Sequence, residues 1–184
     1  MTTETIELER RWVLPGLPEF PSGIQGHLTT IRQHYVPVND LMARLRRSRD
    51  MFSGNTHYHL TFKQGSGLTR PEWEDQIPEW LYFAMRQQAV GALTKTRIKV
   101  SLSCAHVSSI LFDIFTSEGL AGLSMIEVET IYRGDTDSPK FTAAKSRLND
   151  FKLPSWVGEA REVTEDPRYH NQSLAINGRP EEPK

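Results

Sequence analysis

A single cysteine, Cys104, stands among 184 residues, so no internal disulfide can form, and the thiol count fits a reducing cytosol. Its setting, Ser101-Leu102-Ser103-Cys104-Ala105, marks it as a small strand residue. Long apolar runs are missing as well. None reaches the roughly 20 residues of a membrane span, and the N-terminus lacks the apolar segment of a signal peptide. A cytoplasmic protein with no membrane partner is expected. Nor is there an excess of positive charge. Lys and Arg number 22 against 23 Asp and Glu, a formal net charge of -1, which argues against a general nucleic-acid binder without excluding a local basic site. The sequence carries no Ser-His-Asp set, P-loop or zinc spacing, and its histidines, at 27, 34, 57, 59, 106 and 170, follow no ligand motif. No repeat or low-complexity block interrupts it. The length suits one sizeable domain, expected over residues 1–176, with 177–184 a polar tail.

What the chain has instead is charge at every second position. Glu7-Leu8-Glu9-Arg10-Arg11, Arg44-Leu45-Arg46 and His59-Leu60-Thr61-Phe62-Lys63 show the habit first. Arg70-Pro71-Glu72-Trp73-Glu74, Lys95-Thr96-Arg97 and Glu127-Val128-Glu129 repeat it. Residues i and i+2 of a strand share a face. Each stretch therefore presents a charged row on one face and Leu8, Leu45, Leu60, Phe62, Trp73 or Val128 on the other.

Strands are expected at 5–14, 31–36, 42–49, 58–64, 68–76, 93–101, 107–115 and 124–132, with a loop at Pro37 to Asp40 and a hairpin turn at Ser53-Gly54-Asn55. The 93–101 and 107–115 segments should pair as a hairpin. Between Pro78 and Val90 the period changes: Trp80, Leu81, Ala84, Met85 and Ala89 fall at helical spacing. A second helix is expected within Ser138 to Phe151, and short helical or irregular pieces from Pro154 to Ala175. Eight strands and two or three helices predict an α+β fold with an antiparallel sheet.

Placed on one face, the basic set is Arg11, Arg44, Arg46, Lys63, Arg70, Lys95 and Arg97. The acidic set is Glu7, Glu9, Glu72, Glu74, Asp113, Glu127 and Glu129. Burying such charges unpaired costs several kcal/mol apiece, so an interior of this kind is wet, cross-paired or filled by a ligand. A triphosphate with divalent cations meets the requirement. Its oxygens accept the forked bonds of Arg, and Glu-x-Glu pairs offer hard oxygen ligands to Mg²⁺ or Mn²⁺. Two plainer readings stand beside it: solvated outer faces carrying cross-strand ion pairs, and a binding module without turnover.

The ordered set of motifs resembles the CYTH domains, the triphosphate tunnel metalloenzymes. Glu7-Leu8-Glu9-Arg10-Arg11-Trp12 is similar to their opening Glu-x-Glu-x-Lys, Ile31 to Val36 to their second strand, and Arg44-Leu45-Arg46 to their Arg-x-Arg. Leu60-Thr61-Phe62-Lys63, Arg70-Pro71-Glu72-Trp73-Glu74, Lys95-Thr96-Arg97, Asp113-Ile114-Phe115 and Glu127-Val128-Glu129 follow in family order. Glu162-Val163-Thr164 and Arg168-Tyr169-His170-Asn171, with Leu174-Ala175, resemble the C-terminal end of bacterial members. Position 11 is Arg where the family pattern has Lys, and His34 stands where it has Gly. The His-Phe pair of class IV cyclases is absent from Met1 to Ile6.

The resemblance implies an eight-stranded antiparallel β-barrel, a triphosphate tunnel with flanking helices. It implies a metal-dependent phosphoanhydride hydrolase, foremost an inorganic tripolyphosphatase. Thiamine-triphosphatase, nucleoside triphosphatase and a slow or non-catalytic triphosphate binder are the alternatives. By resemblance, Glu7, Glu9, Asp113, Glu127 and Glu129 are metal ligands for Mg²⁺ or Mn²⁺, and Glu7, Glu9, Arg11 and Asp113 are catalytic. Arg44, Arg46, Lys63, Arg70, Lys95 and Arg97 hold phosphate, with Glu72 and Glu74 orienting those bases or touching a second metal. A second metal would activate the attacking water. Substrate-discriminating contacts are expected at the tunnel mouth, near Trp12, Trp80 or the Pro15 to Pro21 loop. A homodimer is compatible with the sequence.

Overall fold

The structure, a computed structural model, describes residues 5–63, 69–102, 107 and 109–181, without the side chains of Thr5, Lys63, Thr69, Arg70 and Pro71. Cys104 lies outside the described residues. The strands are β1 (Thr5–Leu14), β2 (Gly26–Val38), β3 (Leu41–Asp50), β4 (Thr56–Lys63), β5 (Thr69–Gln76), β6 (Gly91–Ser101), β7 (Ser109–Phe115), β8 (Ser124–Arg133) and the short β9 (Arg161–Glu162). Helices α1 (Glu79–Met85), α2 (Pro139–Asp150) and α3 (Asn171–Asn177) accompany them. The fold is α+β. The antiparallel sheet has nine strands in the order β5-β4-β3-β2-β6-β7-β8-β1-β9, and β5 also pairs with β1. The expected hairpin of β6 and β7 is present, with Arg97 opposite Asp113.

The alternation in sequence becomes a division between two sides of the sheet. Leu8, Trp12, Phe112, Ile126 and Val128 pack on one side with Leu148 and Phe151 at the end of α2. Val36, Leu45 and Ile77 pack with Tyr82 of α1. Val13, Leu93, Phe115 and Met125 stand two positions from Arg11, Lys95, Asp113 and Glu127 on the charged face, and pack there with Leu174 of α3. Each fully buried Leu or Phe in these layers contributes roughly 1.5–3 kcal/mol. Helix α2 is fixed at both ends. Ser138 accepts from the Phe141 amide at 3.2 Å, and Pro139 opens the first turn. At the far end Arg10 donates to the carbonyls of Leu148, Asn149 and Phe151, each at 3.0 Å.

Apart from strand ends that move by two residues or fewer, the structure departs from the sequence expectation in four places. A ninth strand is present: β9 pairs Glu162 with Trp12 and Arg161 with Val13. It is held by the fork of Arg10 on Glu162 at 2.9 and 2.6 Å, a long-range ion pair that no local alternation announces. Strand β2 begins at Gly26 rather than Ile31, because Thr29 and Thr30 find partners on both β3 and β6. The expected Pro37 to Asp40 loop contracts to a tight turn, with Asn39 in the left-handed region at φ 51°. The first helix stops at Met85 and continues only as a 3₁₀ turn over Arg86–Gln88, short of Val90. No helix among the described residues is long and apolar enough to cross a membrane.

Candidate active site

The opposite, charged side of the sheet encloses a cavity of about 360 Å³. Ten of the expected site residues line it: Glu7, Glu9, Arg11, Arg44, Arg46, Glu72, Glu74, Arg97, Glu127 and Glu129. Strands β1 and β8 build an acidic wall, with Glu9 opposite Glu129 and Arg11 opposite Glu127. Strands β3, β4 and β5 build a basic one, in which Arg44 stands opposite Thr61, itself opposite Glu74.

On the acidic wall Glu7, Glu9 and Glu127 are buried. Arg11 forks onto Glu9, with Nε to Oε1 at 2.8 Å and the second bond to Oε2, and its Nε lies 3.9 Å from Glu127. Burial works against the charge of Arg11, but Glu9 and Glu127 outweigh it and raise its pKa. Glu129 is in the reverse position. Burial, with Glu7, Glu9 and Glu127 adding to it against Arg97, pushes its carboxyl up to about 7. Among the described residues no three His, Cys, Asp or Glu side chains gather as a metal-ligand cluster. Glu9 and Glu127 are turned instead onto Arg11 and Arg97. The chemistry of the wall nonetheless suits a hard divalent cation, since crowded carboxylate oxygens are its preferred ligands and the elevated Glu129 marks where positive charge is wanted.

On the basic wall Arg44 donates to Thr61 Oγ1 at 3.1 Å, Glu72 at 3.3 Å and Glu74 at 3.0 Å. Arg46 reaches Glu74 at 2.8 Å, and Thr61 Oγ1 donates to the same residue at 2.7 Å. Arg46 has its pKa lowered, by burial first and by neighbouring Arg44 second. The Nε atoms of Arg44 and Arg46 are buried and have no hydrogen-bond partner among the described residues. A buried unsatisfied donor costs about 1–3 kcal/mol, so these two cavity-lining guanidiniums are short of acceptors that an anion would supply; Arg47 Nε and His59 Nδ1, on residues that do not line the cavity, are unsatisfied as well.

Behind the cavity lies a third group. Lys95 and Asp113 are both buried and neither lines the cavity. Asp113 takes Arg97 Nε and a terminal nitrogen at 2.7 Å each, and Lys95 as well. Burial lowers the Lys95 pKa in spite of Asp113 and Glu127. Burial opposes the charge of Glu127 too, but Lys95, Arg97 and Arg11 hold its pKa well below the carboxylate range. Lys63 and Arg70 have described backbone only: Lys63 stands opposite Glu72 and Arg70 opposite Glu7, and their side chains lie outside the described residues.

The charged-row criterion passed over the uncharged lining, including Gln33, Tyr35, Thr61 and Asn171. Gln33 and Tyr35 share a face of β2, and that period was the available signal. For Asn171, which arrives on a short helix, nothing local betrays the site. The expected mouth residues are elsewhere. Trp12 is buried in the layer under α2, Trp80 is exposed, and Phe20 of the Pro15 to Pro21 loop packs edge-on against Phe112.

No family model matches the sequence. The chain is 31% identical over 174 residues to an inorganic triphosphatase from Nitrosomonas europaea, covering 93% of this chain and 97% of that one. A crystal structure of an inorganic triphosphatase is 29% identical with a TM-score of 0.56, and the match covers 96% of each chain. A protein from Pyrococcus horikoshii OT3 shares the fold at TM-score 0.54 and 21% identity, over 85% of this chain and 92% of that one. Fold and cavity together are those of a triphosphate tunnel protein. The chain belongs to the CYTH, or triphosphate tunnel metalloenzyme, superfamily, beside its inorganic triphosphatases.

Proposed function

We propose that the protein is a phosphoanhydride hydrolase whose substrate is inorganic triphosphate, cleaved by water to pyrophosphate and orthophosphate with a divalent cation, Mg²⁺ or Mn²⁺, bound. The observation that carries this reading is one cavity lined on one side by Arg44 and Arg46, each with a buried Nε lacking a partner, and on the other by crowded carboxylates. In this reading the pairing of β5 with β1 closes the eight long strands into a tunnel, with β9 as an outer addition. Residues 1–176 form one domain, 177–184 a tail, and the single cysteine suits a cytoplasmic location.

Glu7, Glu9, Glu127 and Glu129 would hold the cation, which supplies charge neutralisation and a more acidic water. Arg44, Arg46 and Arg97, with Lys63 and Arg70, orient the phosphate oxygens in line and stabilise the charge that spreads over them in the transition state. Glu72 and Glu74 hold the guanidiniums ready until phosphate takes their place. Lys95 and Asp113 act from behind, by fixing Arg97 and Glu127. Arg11, already committed to Glu9, shapes the acidic wall.

The test is phosphate release from tripolyphosphate, thiamine triphosphate, ATP and GTP with Mg²⁺, Mn²⁺ or EDTA. EDTA-sensitive release, fastest from tripolyphosphate, is expected. Glu127→Gln with Glu129→Gln should lower it at least about 10³-fold, and should also lower the melting temperature, because Arg97 and Lys95 lose a buried carboxylate; undiminished turnover in that double variant, assayed below its melting temperature, sinks the ligand assignment. The Arg11–Glu9 pair favours one second reading, a tunnel that binds triphosphate without turning it over. A melting temperature raised by triphosphate and metal, with no phosphate released, would establish it.

A further inference from the structure

Asn171 carries no charge and belongs to none of the rows, yet its carboxamide joins two of them. Nδ2 donates to Glu127 Oε1 at 3.0 Å, and Oδ1 accepts from Lys95 Nζ at 3.3 Å. Lys95 is fully buried, its ammonium on Asp113 and 3.8 Å from the same Glu127 oxygen. The other oxygen of Glu127 is held by Arg97. Glu127 is thereby gripped from two sides by groups on different elements, β6 and α3.

A carboxamide suits this place for a chemical reason. It donates to a carboxylate with one end and accepts from an ammonium with the other. An aspartate would keep the second bond and repel Glu127, and an alanine would lose both.

The helix that brings Asn171 is seated closely. A Cβ added at Gly91 on β6 would stand 2.8 Å from the Ala175 carbonyl oxygen and 2.7 Å from Ile176, so only glycine lets α3 lie where it does. Leu174 anchors the same turn in the layer with Leu93 and Phe115.

We propose that Asn171 is a positioning residue, which fixes the orientation of Glu127 for the cation and so makes the docking of α3 part of the active site. The inference rests on the functional reading above, in which Glu127 is a ligand. Outer partners of metal ligands are worth about 10- to 100-fold in metal affinity.

Two measurements test it. The first is Mn²⁺ binding, read from the EPR signal of free Mn²⁺ in the presence of an imido analogue of triphosphate that resists hydrolysis. The second is the Mn²⁺ dependence of phosphate release from tripolyphosphate. Asn171→Ala should need about tenfold more Mn²⁺ in both. Its KM for tripolyphosphate at saturating Mn²⁺ should change by less than about twofold, because the arginine wall is untouched. Asn171→Asp should bind Mn²⁺ no better than Asn171→Ala. Gly91→Ala, which displaces α3 without altering a cavity side chain, should shift the Mn²⁺ requirement in the same direction and serves if Asn171→Ala does not fold. A variant with wild-type Mn²⁺ dependence in both measurements overturns the proposal, as does a fall in kcat with no Mn²⁺ shift. Absence of hydrolysis by the wild-type protein would defeat the functional reading instead, and the binding measurement would still decide the role of Asn171.

Discussion

Arg97 and Arg46 are written alike in sequence, each following a basic residue two positions earlier on the same strand face. They end in opposite circumstances. Arg97 spreads its donors over Asp113 and Glu127, and although burial opposes its charge those carboxylates raise its pKa well above the ordinary value. Arg46 has Glu74 as its ion-pair partner, keeps a buried Nε without a partner, and has its pKa lowered by burial and by Arg44. A guanidinium whose donors are taken by protein carboxylates holds the wall together. One that is short of acceptors is ready for a ligand. The same cavity contains both kinds, and burial alone does not separate them.

The contrast breaks most visibly if Arg97 is removed. Arg97→Ala leaves Glu127 and Asp113 short of a buried partner, and unfolding in urea should show a loss of about 3 kcal/mol, the lower end for a broken buried pair because Lys95 stays with Asp113. Arg46→Ala should cost little stability, within about 0.5 kcal/mol, since Glu74 is partly open to solvent. Its kcat/KM on tripolyphosphate should instead fall about 10²-fold. Equal destabilisation by the two substitutions would erase the distinction. A smaller effect is expected on the acidic wall. Arg11→Lys replaces a fork by a point charge and frees one oxygen of Glu9, so half-maximal phosphate release should need about threefold less Mn²⁺. The last effect is one of pH. The carboxyl of Glu129 titrates at about 7 in the folded protein against an ordinary 4.5. Between those values the folded state holds the extra proton, so stability in EDTA should decline as pH rises through that window. The melting temperature of Glu129→Gln should lack this decline.

The division of faces was legible in the sequence because it follows from a period of two. Glu7, Glu9, Arg44, Arg46, Glu127 and Glu129 share a cavity for the reason their spacing suggested. Depth was not legible. Lys95 and Arg97 share a face, yet Lys95 is sealed off and Arg97 reaches the cavity. How far a residue stands from the opening depends on the register of one strand against the next, and alternation carries no register. Asn171 and β9 were hidden for a related reason: Glu127, Lys95 and Arg10 hold them from far away in the chain.

Most of the dry part of this molecule is a shell outside the sheet, and one further layer lies on the charged face under α3. Leu8 answers to the helices packed outside the sheet, while Glu7 and Glu9 on either side of it answer to whatever occupies the middle. Consecutive positions of one strand therefore have separate obligations. A change in what the cavity holds need not disturb the packing that keeps the strand in place, and the packing can drift without altering the cavity. Such a scaffold can exchange one anion for another through a few alternate residues and keep its architecture while doing so.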